Sequence, residues 1–324
     1  MSDQPTPISS RVLLVEPDKK ALRVLERSLK SVVTAVDVRE RLGALPPDGE
    51  YDLIVLALDG LGPEEQAALT ARYAATSPAT RLLLLSSGDW TETHRRLFHE
   101  RITMNVLARS SEPVGVDDII VTLNKILARN LFGIEKYFPW GSGVVETRVH
   151  ESFDVEDVVE QARVWARNLG VSDRLCSGFG LVTDELLTNA LYNAPVDAQG
   201  APLYASRDRA LPVAVDVERA AVVKFCSDGH KIGVSVRDSF GSLSAEVVLD
   251  YLVKCFRKGA DQIDQKEGGA GLGFFQMFSA VSHFVVNIAP GRAAEAIGII
   301  DVRGSFRDFA QRPKSFNIFV DAGP

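Results

Sequence analysis

Short apolar blocks alternate with longer stretches in which leucine recurs every three or four residues. Along residues 1–127 this predicts strand and helix in turn. Arg11–Val15 is expected as a strand and Asp18–Ser31 as a helix, with Leu22, Leu25 and Leu29 on one face. Val32–Val38 and a short helix follow, then Tyr51–Leu58 as a buried strand and Pro63–Ala75 as a helix opened by proline and two glutamates. Arg81–Ser86 reads as a strand, Thr91–Ile102 as a basic helix, Asn105–Ala108 as a short strand and Val116–Leu127 as a closing helix. Such units predict an α/β fold, a doubly wound five-stranded parallel sheet with helices on both faces.

The pattern breaks over residues 128–146, where Phe132, Tyr137, Phe138, Pro139 and Trp140 crowd among glycines. Aromatics this dense predict a joint packed against a neighbouring domain, with a bound partner helix or peptide as the alternative. A second domain, residues 147–324, is introduced by a strand over Val144–Ser152. A helix N-capped by Asp154 follows, with Val155, Val158, Val159, Ala162, Trp165 and Leu169 on one stripe. The next helix, Asp173–Asn193, stops at Ala194-Pro195, and a polar excursion through Gln199, Gly200, Arg207 and Arg209 predicts a loop near a ligand or a partner. Val213–Val217, Ala221–Phe225 and Lys231–Val236 read as antiparallel strands and Leu243–Phe256 as a helix. Phe284–Ile288, Ala296–Val302 and Phe316–Val320 complete a mixed sheet, so this domain is expected as an α/β sandwich with helices over one face.

A chain of 324 residues that is 46% hydrophobic can bury two cores. Its net charge of -7 weighs against nucleic acid as the main partner. Cys176, Cys226 and Cys255 offer no C-x-x-C pair, hence no disulfide framework or zinc site, which suits a reducing cytoplasm. Met1–Ser10 lacks a signal pattern and no run approaches membrane-spanning length, so a cytoplasmic protein without membrane insertion is expected.

Candidate chemistry concentrates in the second domain. Within Asp184-Glu185-Leu186-Leu187-Thr188-Asn189-Ala190 a carboxylate and an amide lie four residues apart, and Glu185, Asn189 and Asn193 share one helix face. Taken alone, that polar line is a solvated face. Downstream, Val236-Arg237-Asp238-Ser239-Phe240-Gly241 ends a strand, and Gly268-Gly269-Ala270-Gly271-Leu272-Gly273 opens an apolar helix. A carboxylate at a strand end accepts from an exocyclic amine, and a glycine-rich helix start offers N–H groups to phosphate.

The order E-x-x-x-N, D-x-F-G, G-x-G-L-G resembles the Bergerat-type, or GHKL, ATP-binding fold of gyrase, Hsp90 chaperones, sensor histidine kinases, anti-sigma serine kinases and MutL. The resemblance implies ATP and Mg²⁺ as cofactors, with the metal on Asn189 and Glu185 as catalytic base. It implies nucleotide contacts from Asn193, Asp238, Gly241, Gly269, Gly271, Leu272 and Gly273. Arg257–Glu267 falls at the family's ATP lid, which makes Lys258 and Lys266 phosphate candidates, with a plain solvated loop as the equal reading. One departure is that Phe240 and Ser242 stand where the family has glycines.

The first domain resembles bacterial response-regulator receivers in its layout and in phrases such as Leu13-Leu14-Val15-Glu16 and Tyr51-Asp52-Leu53-Ile54-Val55-Leu56. Its active site is degenerate. The family's acidic pair appears as Glu16 then Pro17, with Asp18 one further on, and Ala57 stands where the phosphoryl-accepting aspartate belongs. Ser86 matches the family's hydroxyl position and Arg109 replaces its lysine, while Asp59 substitutes as acceptor only if the strand is longer than read here. The resemblance therefore implies a pseudo-receiver, a docking module without aspartyl phosphorylation.

His99-Glu100 and His150-Glu151 read as surface histidines, and no hairpin carries a phosphoacceptor histidine. Two functions remain: a nucleotide-dependent signalling adaptor or kinase-like regulator, and an anti-sigma-type serine/threonine kinase. The expected partner is a signalling protein of the anti-anti-sigma kind or another regulator, with a homodimer left open.

Overall fold

Leu53–Ala57 and Arg81–Ser86 carry almost only aliphatic side chains. In the computed structural model, which describes residues 7–73, 79–87, 98–109, 116–255 and 270–321, both are central parallel strands buried on both faces. They belong to the first of two units, residues 1–130 with 313–317; the second comprises 131–312 with 318–324. Both units are α/β.

In the first unit the elements are β1 (Ile8–Val15), α1 (Lys19–Lys30), β2 (Val33–Arg39), β3 (Leu53–Ala57), α2 (Pro63–Tyr73), β4 (Arg81–Ser86), β5 (Asn105–Ala108) and α3 (Val116–Ala128). Strand order is β2-β1-β3-β4-β5, with every pair parallel. Asp18 caps α1 by accepting from the Ala21 N–H at 2.7 Å, and Leu25 and Leu29 carry its buried face. The sheet is not wholly parallel, because Phe316 and Asn317 from the far end of the chain pair antiparallel with Val106 and Asn105. The Asn317 amide donates to Asn105 Oδ1 at 3.0 Å, and Phe316 meets Phe98 edge to face. Most of the helix expected over Thr91–Ile102 lies outside the described residues.

The second unit contains β6 (Val144–Val149), α4 (Val155–Asn168), α5 (Asp173–Thr188), β7 (Ala221–Ser227), β8 (Lys231–Asp238), α6 (Ala245–Cys255), α7 (Ala270–Ala280), β9 (His283–Ala289), β10 (Ala293–Asp301) and α8 (Phe306–Gln311). Along β9-β10-β8-β7-β6 each strand pairs antiparallel with the next. The remaining strand, β11 (Ser315–Val320), has residues 315–317 in the first unit and 318–320 in the second.

Strand alternation sorts the second unit into layers. Val234 and Gly298 are register partners on one face; a Cβ on Gly298 would press into Val182 of α5, so the helices cover that side. Trp165 of α4 stacks on Phe225 there and on Phe179 of α5, whose ring is tilted against Phe225. Gly233 points the opposite way, where a Cβ would meet Phe138 and Ile134. Residues 131–138 thus form an inner layer of this unit. Leu131, Ile134, Tyr137 and Phe138 are each at most 6% exposed, worth about 1.5–3 kcal/mol apiece. Glu295, 3% exposed, accepts from the Gly133 N–H at 2.9 Å and the Asn287 amide at 2.8 Å, pinning that layer to the sheet.

Three local expectations fail for physical reasons. Asp154 does not cap α4: it is already helical (φ -80°, ψ -8°) in the turn Ser152–Asp154, which draws its side chain away from the free N–H groups. Val213–Val217 is no strand; Val213 and Val215 bond briefly to Ser152 and His150, then Val217–Arg219 closes into a 3₁₀ turn. Helix Asp173–Asn193 is not uniform, since its last residues, Asn189–Asn193, widen into a π-helical turn in which the Ala194 N–H reaches Asn189 O at 3.0 Å. Among the described residues no helix is long and apolar enough to cross a membrane.

Candidate functional site

The π-helical turn overlooks a cavity of about 840 Å³ between α5 and the sheet, closed by α6 and α7. Val236, Val286, Ala294 and Ala296 make its sheet wall, and Leu186, Val248, Phe274 and Met277 its helical wall. Asn189, Asn193, Asp238, Arg207 and Arg209 are among its polar groups. An apolar pocket of this volume with a few convergent polar groups has the make-up of a small-molecule site.

Asp238, 9% exposed, ends β8 on the helix-covered face. Its Oδ1 accepts from the N–H groups of Phe240 (2.8 Å) and Gly241 (3.0 Å), folding the chain back in a tight turn. Burial pushes its carboxyl up while those N–H groups pull it down. Gly241 lines no wall itself but makes the turn possible. Its φ is +61°, and a Cβ there would lie 2.5 Å from Ala289 O and 2.6 Å from Arg292 N. Phe240, in the departure from the glycine pattern, is buried beneath the Arg219 guanidinium at 3.7 Å. The Ser242 hydroxyl donates to Ala194 O at 2.8 Å.

Asn193 donates from Nδ2 to Asn189 Oδ1 at 2.7 Å and accepts from Arg209 Nη2 at 3.2 Å. The Asn189 oxygen keeps a second lone pair for a hard cation. Among the described residues no group of three or more His, Cys, Asp or Glu could hold a metal ion; the Asn189 oxygen is one of the oxygen donors on the cavity lining.

Glu185 lies one turn earlier on α5. Its carboxylate rests against Gly273 in the first turn of α7, where any side chain at 273 would collide with it. Burial raises its carboxyl above the ordinary value; neighbouring Asp184 adds to this and Arg209 opposes it. Glu185 is not among the residues that line the cavity; a half-buried carboxylate with a raised carboxyl is suited to accept a proton. Gly271 and Leu272 belong to the first turn of α7, with side-chain surroundings outside the described residues; Gly269, Lys258 and Lys266 lie outside them altogether.

In the first unit, Glu16, Asp59, Ser86 and Arg109 gather at the C-terminal ends of the parallel strands. Glu16 is fully buried, and Arg109 Nη1 lies 2.8 Å from its Oε2. Glu16 Oε1 accepts from the Asp18 N–H at 2.9 Å, and the Arg109 N–H donates to Ser86 O at 2.6 Å. Ala57 is the last residue of β3. Asp59 lies beyond the strand in the turn Leu58–Gly60, accepting from the Ser87 N–H (3.1 Å) and hydroxyl (2.5 Å).

The motifs did not single out Tyr192, whose ring lies 4.7 Å from the Arg209 guanidinium, or the apolar wall. Tyr192 looked like any core aromatic, and the wall comes from elements whose periodicity reads only as core.

No protein-family model and no curated protein matches the chain. Among solved structures, one described as "A unique GCN5-related glucosamine N-acetyltransferase region exist in the fungal multi-domain GH3 beta-N-acetylglucosaminidase" aligns at a TM-score of 0.26 and 12% identity, over 75% of this chain and 26% of that one. A likeness at that level carries no argument about fold or activity.

Proposed function

We propose that the second unit, residues 131–312 with 318–324, forms a Bergerat-type, histidine-kinase-like ATP-binding domain, that the first, residues 1–130 with 313–317, forms a receiver-like domain unable to accept phosphate, and that the protein is a nucleotide-dependent bacterial signalling adaptor. The observation that carries this reading is the meeting of Asn189, Asn193 and Asp238 on one cavity of about 840 Å³. Its walls suit a flat heteroaromatic base, and the Asp238 carboxylate suits an exocyclic amine at the buried end. Asn189 would hold Mg²⁺ through Oδ1. Bound Mg-ATP would supply an electrophilic phosphoryl group and an anion whose hydrolysis or exchange changes the domain's surface.

The adaptor reading draws support from the first unit. Ala57 has no group to phosphorylate, and the Arg109 guanidinium neutralises Glu16. The strand-end surface is therefore assigned to docking a signalling partner.

A second reading, a serine/threonine kinase of the anti-sigma type, is favoured by Glu185. Its raised carboxyl would take the proton from a partner hydroxyl onto a carboxylate oxygen during attack.

Titration calorimetry of the full chain with ATP and Mg²⁺, beside Asn189→Ala and Asp238→Asn, tests the common claim. Mg²⁺-dependent binding weakened by both substitutions is expected, and no binding at millimolar nucleotide would overturn it. Transfer of labelled phosphate to a partner that is lost in Glu185→Gln, with binding intact, would select the kinase; binding without transfer selects the adaptor.

A further inference from the structure

The excursion between Pro195 and Val213 belongs to none of the motifs above, yet it is a built lobe. Asp197 Oδ1 accepts from the N–H groups of Gln199 (2.9 Å) and Ala201 (2.8 Å), and the Leu203 N–H returns to Pro195 O at 3.0 Å. The far end is fastened from inside: the Tyr192 hydroxyl, on a ring 5% exposed, donates toward Leu211 O (3.0 Å) and Arg209 O (3.2 Å). The guanidinium of Arg209 then lies over the face of that ring, 4.7 Å from its centroid. Backbone and side chain of one exposed arginine are thus oriented by one buried tyrosine.

We infer that Arg209 is the cation by which this cavity reads a nucleoside polyphosphate, so that the lobe adds affinity for the phosphate chain and none for the base. This rests on the nucleotide reading of the cavity. Three observations carry it. First, polarity varies with depth in the site: Asp238 is buried lining, while Arg207 and Arg209 are exposed lining, matching an amine-bearing base held inside and an anionic tail toward solvent. The carboxylate of Asp208 also lines the cavity, but its Oδ1 is turned back to the Ala210 N–H at 3.0 Å.

Second, the hydrogen-bond partners of Arg209 are neutral and distant, Asn193 Oδ1 at 3.2 Å and Thr188 O at 3.4 Å, and the carboxylates of Asp184 and Glu185 act on it through space. The two hydrogen bonds engage two of five guanidinium N–H groups. A phosphate oxygen offers shorter, charge-assisted bonds and wins the exchange. Third, Arg209 bonds to Asn193 and Asn193 bonds to Asn189, so engagement of the guanidinium is felt at the amide proposed to hold the metal.

The experiment is calorimetric titration of the full chain and of Arg209→Gln, Arg209→Lys and Arg207→Gln with ATP, ADP and adenosine. In Arg209→Gln, ATP and ADP should weaken roughly ten- to a hundred-fold while adenosine stays within about two-fold. Arg209→Lys should recover part of the loss, and Arg207→Gln should lose less, its guanidinium being stacked 6.0 Å from Tyr204 with no bond to the asparagines. Unchanged ATP affinity in Arg209→Gln, or equal losses for ATP and adenosine, would overturn the inference and leave the nucleotide site standing. A wild type that binds neither ATP nor adenosine would overturn both.

Discussion

Gly241→Ala tests the turn on which the buried end of the cavity depends. Two costs add at that position. An alanine at φ +61° pays about 1–2 kcal/mol for left-handed backbone. Its Cβ would also fall 2.5, 2.6 and 2.7 Å from Ala289 O, Arg292 N and Ala293 N, backbone atoms that move only with the β9–β10 hairpin, and such overpacking costs about 1–3 kcal/mol. The sum is about 2–5 kcal/mol. Gly291 supplies the control: its φ is +67° and nothing lies within 4 Å of an added Cβ, so Gly291→Ala carries only the backbone cost. Urea unfolding followed by Trp165 fluorescence reports this unit, because Trp165 stacks on Phe179 and Phe225 at 5.7 and 5.6 Å. At a slope of about 2 kcal/mol per molar urea, the midpoint should fall by about 1–2.5 M for Gly241→Ala and about 0.5–1 M for Gly291→Ala. Gly241→Ala should also lose base recognition, since the turn that it strains holds Asp238. Equal midpoint shifts in the two variants would refute the close-approach argument.

Three further outcomes are expected. Arg109→Ala leaves the Glu16 charge buried and unpaired and should cost about 3–5 kcal/mol, most of it recovered when Glu16→Leu is added; calorimetric unfolding that shows the same loss in both backgrounds would deny the coupling. Glu295→Ala strands the Gly133 N–H and the Asn287 amide at about 1–3 kcal/mol each and should speed native-state trypsin cleavage after Lys136, with unchanged cleavage contradicting a pinned layer. Burial holds the Asp238 carboxyl above its ordinary 3.8, so the folded state binds the extra proton and wild-type stability falls as pH rises from that value through the raised one. Asp238→Asn lacks this loss. Its urea midpoint should gain on wild type across that window, and a difference flat in pH would refute the assignment.

Where the signal was local, the sequence was legible. Proline and two glutamates start α2 at Pro63, continuous aliphatic runs became β3 and β4, and the i, i+4 spacing of Asn189 and Asn193 appears as a 2.7 Å hydrogen bond. Cap and strand assignments failed where a neighbour intervened: Asp154 was taken up by a preceding turn, and Val213–Val217 by brief bonds to residues 150–152. The antiparallel addition of Phe316 and Asn317 beside β5 had no local mark at all.

The sequence by itself determined most of the strand and helix segments, Val213–Val217 excepted, and which short polar spacings lie on one face, because backbone periodicity is set within a few residues. Only the tertiary structure decided what covers each face. It laid residues 131–138 on the sheet opposite the helices, brought Asp238 to the same cavity as Asn189, and set Arg209 on the ring of Tyr192. An apolar stripe records that something will bury it; the partner is chosen by packing among residues far apart in the chain.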